Sequence, residues 1–288
     1  MCKKFIYHIL FFISLLQSNI YPVIFESHNL SDIYKYLDKD SIVVTDIDNT
    51  IVKTIPKEVE PWIKYKTLEL RKKGLSYKEA LNHALYMFMI ISKLTKLVPL
   101  GNSPKIIHDL QKKNIPIIAL TNRSIPVVKR TIKQLKNIGI DLSKNNLYKN
   151  DIDLQVTHNG KYSHGIIFTG SNDKGKMLYE FFKKIKKTPK KIIFVNDKIK
   201  NVKSVEKAAI QNNAEFIGIR LCLMDKEKKD FDPVAAKKQI LKLETKLGFH
   251  PLTKTEQVEQ ETPTTSWLRS IWNTITWPFN KKIWKLFN

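Results

Sequence analysis

Four short apolar runs rich in β-branched residues, at 42–46, 115–121, 191–197 and 215–221, constrain this 288-residue chain more than any other feature. None alternates polar with apolar as a half-wet strand does, so each reads as a parallel strand buried on both faces. Helix-period segments lie between them, at 104–113, 125–137, 174–187 and 202–212. This βαβ alternation predicts an α/β fold, a doubly wound parallel sheet with helices on both faces. A chain of this length buries such a core with residues to spare. Ligands of open α/β sheets bind beyond the carboxyl ends of the strands. Here those ends carry TDIDNT, ALTNRS and FVNDK, three polar clusters expected to converge.

Two stretches interrupt the alternation. Residues 56–99 look helical apart from a turn at Gly74 and read as a small helical cap inserted beside the site. Residues 150–170 contain Asn159-Gly160 between strand-like residues, a hairpin signal. The Met- and aromatic-rich run at 86–91, YMFMII, reads as core packing. After a helix at about 233–247, residues 250–266 are polar and Pro-bearing, as a flexible linker is.

The chain ends at 267–288 in a Trp-rich amphipathic tail, with Trp267, Leu268, Ile271, Trp272 and Ile275 at helical spacing on one face and lysines interleaved further on. Such a segment suits a membrane surface, although packing onto the protein's own domain or onto a partner is the open alternative. Pro278 and the polar residues make it unsuited to spanning. At the other end, residues 1–21 carry Lys3 and Lys4 before an apolar run at 5–16, then Gln17, Ser18 and Asn19. That run is too short for a spanning helix and reads as a secretory signal, with a buried N-terminal helix or an uncleaved anchor as alternatives. Export follows from the signal reading. Removal of Cys2 with the signal would leave Cys222 alone, so no intrachain disulfide is expected.

The formal net charge is +23, yet nearly all of it is lysine scattered from end to end. Specific base contacts rest mostly on arginine, and only Arg71, Arg123, Arg130, Arg220 and Arg269 are present, so no specific nucleic-acid partner is expected.

The strand-end clusters suit phosphoryl transfer. A carboxylate can attack phosphorus and form an aspartyl-phosphate, and Asp46 is placed for that. Asp48, two residues on, can protonate the leaving oxygen and later deprotonate water. Two like charges on one loop repel unless a cation sits with them. Mg²⁺ prefers carboxylate, carbonyl and water oxygens, which the Asp46 carboxylate and the backbone carbonyl of residue 48 can offer. Thr121 ends a strand just before Ser124, a plausible N-cap with Pro126 in the first turn, so a hydroxyl and free amides would face a phosphate. Lys174 opens a helix and offers a point charge to phosphate and to Asp46. Asp197 can complete a metal shell, and Asn201 can hold a carboxylate or a metal-bound water. His83, His108, His158 and His164 show no metal-like spacing.

The ordered set DIDNT, LTNRS, KGKML and FVNDKIKNV resembles the four motifs of the haloacid dehalogenase superfamily of phosphohydrolases. Within it, the signal-like start, the insertion and the stretch HGIIFTGSNDKG are similar to the DUF2608 family of bacterial proteins. The resemblance implies a Rossmannoid core and an exported, Mg²⁺-dependent phosphatase acting on a small phosphorylated substrate. It makes Asp46 the nucleophile and Asp48 the acid/base; Thr121, Asn122 and Lys174 bind phosphate. Asp46, Asp48 and Asp197 hold the metal, with Asn196 and Asn201 in support. Many relatives read Asp-Asp in the fourth motif where this chain has Asn196-Asp197, which removes a negative charge near the metal. A catalytically weak member serving as a binding or membrane-surface module is therefore the alternative.

Overall fold

The computed structural model describes residues 22–57, 59–77, 79–81, 83 and 95–246. In chain order the elements are β1 (Val23–Ser27), a 3-10 helix at Leu30–Tyr36, β2 (Ser41–Thr45), β3 (Val52–Ile55), α1 (Val59–Lys72), β4 (Lys96–Pro99) and α2 (Ser103–Lys112). There follow β5 (Ile117–Thr121), a 3-10 turn at Ile125–Val127, α3 (Val128–Asn137), β6 (Ile152–Gln155), β7 (Asn159–Ser163) and β8 (Ile166–Phe168). The rest is α4 (Lys174–Lys184), β9 (Lys191–Asn196), α5 (Ile199–Gln211), β10 (Glu215–Leu221), α6 (Asp225–Lys229) and α7 (Pro233–Lys246).

The main sheet runs in the order β1-β10-β9-β2-β5-β8-β7-β6. Pairing is parallel from β1 through β8 and antiparallel across β8-β7 and β7-β6. All four predicted strands lie in its parallel part. Their side chains split by parity between two cores. Val43, Ile117, Ala119, Ile193, Val195, Ile217 and Ile219 pack on one face, with Ile106, Leu110 and Leu135 from the helices there. Ile42, Val44, Ile118, Leu120, Ile192, Phe194 and Phe216 pack on the other, with Met177, Phe181, Val202 and Val205. Burial on both faces is the reason the strands lack alternation. β1 was not among the expected strands; it lies at the sheet edge beside β10, where only part of it is buried.

Helix stops follow one device. After α2, α3, α4 and α5 a residue adopts a left-handed conformation, at Asn114, Gly139, Lys186 and Asn213. The next amide then bonds back to a carbonyl five residues earlier, as Ile115 does to Leu110 and Lys187 to Phe182. Ile115 therefore belongs to a helix stop, and β5 begins at Ile117, two residues later than the apolar run suggests.

The insertion departs from the wholly helical reading at its end. Lys96–Pro99 is a strand that pairs antiparallel with β3, from Val52 opposite Pro99 to Ile55 opposite Lys96. The 150–170 hairpin is present with a different turn. Gln155 pairs with Asn159, so Asn159-Gly160 opens β7, and residues 156–158 make the loop. The Asn172 side chain fixes that loop, its Oδ1 accepting from the Thr157 and His158 amides at 3.0 and 2.8 Å. A two-residue turn follows at His164-Gly165, both at positive φ, as a type I′ hairpin requires.

The sheet and the strand-end clusters lie in a compact unit ending at Ile240. Among the described residues no helix is long and apolar enough to cross a membrane. The proposed signal, residues 84–94 of the insertion, the linker and the Trp-rich tail lie outside the described residues.

Candidate active site

Strand order reverses at β2, which has β5 on one side and β9 on the other. That reversal opens a crevice at the carboxyl end of β2. Asp46 is the first residue beyond this strand and its amide bonds to the Val195 carbonyl of β9 at 2.9 Å. The chain then closes a tight loop in which the Ile47 carbonyl accepts from the amides of Thr50, Ile51 and Val52. Asn49 takes the left-handed conformation that this turn needs. Asp46 and Asp48 are thereby presented together at the end of one rigid strand.

Lys174 reaches this point from α4. Asp173 caps the helix, its Oδ1 accepting from the Lys176 amide at 3.0 Å and its Oδ2 from the Ser204 hydroxyl at 2.8 Å. The Lys174 ammonium lies 2.8 Å from Asp46 Oδ1 and donates to the Leu120 carbonyl of β5 at 2.6 Å. Its side chain is 1% exposed and that of Asp46 9%. Burial pushes the Asp46 carboxyl up; Lys174 opposes this, while Asp197 and Asp48 add to it, and the net direction is upward. Burial likewise pushes the Lys174 ammonium down by more than Asp46 restores.

From β9, Asn196 donates its side-chain amide to Asp46 Oδ2 at 3.0 Å and accepts at Oδ1 from the Lys198 amide (2.8 Å) and the Asn201 side chain (3.3 Å). Asn196 thus holds the second Asp46 oxygen, the one Lys174 does not touch, and Asn201 in turn holds Asn196. Asp197 is buried next to them. Its Oδ2 meets the Lys228 ammonium of α6 at 2.5 Å, while its Oδ1 is buried without a hydrogen-bond partner.

Asp48 does not share these partners. Arg123 grips it two-pronged, Nε to Oδ2 at 2.9 Å and Nη2 to Oδ1 at 2.6 Å, and also donates to Thr131 at 3.1 Å. Burial pushes the Asp48 carboxyl up, but the Arg123 charge and hydrogen bonds outweigh it and hold the group below its ordinary value. Thr121 is fully buried at the end of β5, its hydroxyl accepting from the Arg123 amide at 3.2 Å. Asn122 is exposed and donates its side-chain amide to the Gly170 carbonyl at 3.0 Å. Ser124 stands at the N-cap of the 3-10 turn but makes no side-chain capping bond.

The structure thus brings Asp46, Lys174, Asn196 and Asn201 into one bonded network, with Asp48 and Asp197 close enough to act on Asp46 electrostatically. Reading the motifs missed Arg123 and Lys228. Arg123 follows Thr121-Asn122 directly, yet nothing in the sequence pairs it with Asp48, 75 residues away, and Lys228 stands in a lysine-rich helix with no motif around it.

Whether these residues suit Mg²⁺ can be judged from the donors. Among the described residues no three His, Cys, Asp or Glu side chains gather as a metal-holding group. Asp46, Asp197 and the backbone carbonyl of Asp48 offer hard oxygen donors, those of Asp46 already held by Lys174, the Ile47 amide and Asn196. The unpartnered Asp197 Oδ1 and the strained ionisation of Asp46 are what a hard dication would relieve, so the set fits.

The family model for the protein of unknown function DUF2608 matches residues 26–250. The chain belongs to this family. A DUF2608 chain of this kind is similar to a Chlamydia trachomatis protein that bears the name "Putative outer membrane protein", at 21% identity over 194 residues, covering 67% of this chain and 73% of that one. Among solved structures it is similar to a haloacid dehalogenase-like hydrolase from Streptococcus pneumoniae, with TM-score 0.38 and 11% identity over 69% of this chain and 97% of that one. It is also similar to a predicted phosphoglycolate phosphatase from Haemophilus somnus, with TM-score 0.38 and 11% identity over 66% and 97% of the two chains.

Proposed function

We infer that this DUF2608 protein is a phosphohydrolase of the haloacid dehalogenase type, working through an aspartyl-phosphate. The observation that carries the reading is the buried Asp46 carboxylate at the reversal of strand order, paired with Lys174 at 2.8 Å and followed two residues on by Asp48. In the first half-reaction an Asp46 oxygen attacks phosphorus. The bond to the leaving oxygen breaks as Asp48, having taken the proton of the incoming monoanionic ester, passes it to that oxygen. In the second half, Asp48 takes a proton from water, the water oxygen attacks phosphorus, and the bond to Asp46 breaks to release inorganic phosphate. Lys174 neutralises phosphate charge and orients Asp46, while Asn196 fixes the other carboxylate oxygen. Thr121 and Asn122 border the phosphate. Asp46, Asp197 and the backbone carbonyl of Asp48 would hold Mg²⁺, which when bound offsets the charge of phosphate and carboxylates.

The substrate is a small phosphorylated molecule screened by the 56–99 insertion, and the protein acts after export. The proposed signal at 1–21 and the name of the chlamydial relative support export.

Purified protein should hydrolyse a generic aryl phosphate in the presence of Mg²⁺. Asp46→Asn should lose several orders of magnitude of kcat while still unfolding cooperatively, with a shifted Tm because the buried Lys174 ammonium loses its counter-charge although no cavity is created. Wild-type turnover by Asp46→Asn would rule the covalent route out, and no turnover by either protein would favour a binding module.

A further inference from the structure

Each carboxylate of the site has a cation on it: Lys174 on Asp46, Arg123 on Asp48 and Lys228 on Asp197. The three cations are not equally fixed. The side chains of Lys174 and Arg123 are 1% and 12% exposed, and each is tied to a further acceptor, Leu120 or Thr131. Lys228 is 33% exposed and comes in from solvent on the short helix α6, whereas the Asp197 side chain it meets is 1% exposed. The helix itself has other ties, since Glu227 pairs with Lys53 of β3 at 3.1 Å and Arg220 grips Asp225 with both terminal nitrogens. Lys228 can therefore leave Asp197 by turning its own flexible stem, without moving α6.

A dication on the unpartnered Asp197 Oδ1 would share the carboxylate with an ammonium 2.5 Å from Oδ2. Two cations on one carboxylate repel, and adding +2 to a substrate-free site whose carboxylates are already matched one for one by cations leaves a surplus that the departure of the most exposed cation, Lys228, relieves. We propose that Lys228 is a built-in competitor of the metal: its ammonium and Mg²⁺ take turns on Asp197, and the lysine swings into solvent when the dication arrives. The inference rests on the phosphohydrolase reading only in taking Asp197 as a metal ligand. Lys228 thereby sets metal affinity as a positioning residue, one that does not touch substrate.

The test is calorimetric titration of Mg²⁺ into the full-length protein without substrate, for wild type, Lys228→Gln, Lys228→Arg and Asp197→Asn. Lys228→Gln removes the competitor and should bind Mg²⁺ about tenfold more tightly, the size of effect seen for groups just outside a metal's ligands. Lys228→Arg keeps the charge and should bind no more tightly than wild type. Lys228→Ala repeats the first variant without an amide. Thermal unfolding gives an independent readout: Mg²⁺ should raise the Tm of Lys228→Gln by more than it raises that of wild type. Equal or weaker Mg²⁺ binding by Lys228→Gln overturns the proposal. If that result comes with a loss of binding in Asp197→Asn, the metal-site reading survives and only the competition fails. Unchanged affinity in Asp197→Asn, or no binding by any of the proteins, overturns both.

Discussion

At the scale of the residue, Asn196 is the position where this site differs most plainly from the Asp-Asp pattern, and the contacts say what the difference does. Its amide donates to Asp46 Oδ2, so an aspartate there would replace a hydrogen bond with a carboxylate about 3.0 Å from another carboxylate. Asn196→Asp should lower stability without divalent cation, on the order of 2 kcal/mol. A dication bound between the two carboxylates would relieve the repulsion. Thermal unfolding with and without Mg²⁺ should therefore show a lower Tm for the variant in chelator and a larger Mg²⁺-induced rise than in wild type. Arg123 matters at the same scale. Arg123 holds Asp48 ionised; on the proposed mechanism this favours the form that accepts a proton from water, and the first half-reaction would require Asp48 to gain the proton of the entering monoanionic ester.

At the scale of the element, Lys174 is accurate because α4 can lie close on α5. The contact is made at Gly175, where an added Cβ would sit 2.2 Å from the Ser204 carbonyl oxygen and 3.0 Å from the Ala208 Cβ. Neither neighbour can yield without moving α5. Gly175→Ala should cost about 1–3 kcal/mol and withdraw Lys174 from Asp46, so both Tm and kcat should fall. A variant with wild-type kcat would show that the helix contact does not position the lysine. At the other end of the sheet, Lys191 at the start of β9 pairs with Asp38 at 2.8 Å and Glu215 at 3.0 Å. Burial lowers its affinity for a proton, but the two carboxylates outweigh burial and raise the group above its ordinary 10.5. Its contribution to stability is then complete below pH 10.5 and is lost as the pH rises through the higher folded-state value. Burial also opposes ionised Asp38, yet Lys191 and Ser41 bring that carboxyl below 3.8, so its share is complete above pH 3.8 and is lost on acidification. Lys191→Met should cost on the order of 1 kcal/mol at neutral pH, since both partners are partly exposed, and the deficit should shrink toward pH 11 and toward pH 3.

At the scale of the whole molecule, the Trp-rich end of the chain is the segment whose composition suits a membrane surface. The tail at 267–288 follows a polar stretch at 250–266, and a segment that packs on its own domain rarely needs so long a tether. We expect the full-length protein to co-sediment with liposomes containing anionic lipid and a form ending at Ser266 to stay in solution. Equal sedimentation of the two forms would assign the tryptophans to protein packing instead.

The central strands, the helices between them and the convergence of Asp46, Lys174, Asn196 and Asn201 were legible in the amino-acid sequence. The reason is that a strand covered on both faces must be apolar without interruption, and the residue after it has to stand at the sheet's carboxyl edge. Turn placement was less legible. Asn159-Gly160 is a favourable turn pair, yet Asn172 holds the loop one step earlier through bonds to Thr157 and His158, which lie 15 and 14 residues away in the chain. The cations on Asp48 and Asp197 were decided only in three dimensions. Arg123 is 75 residues from Asp48 and Lys228 is 31 from Asp197. Local periodicity reports which face of an element is buried, whereas the choice of one lysine among many as the partner of a buried carboxylate depends on which strand ends the folded sheet sets side by side.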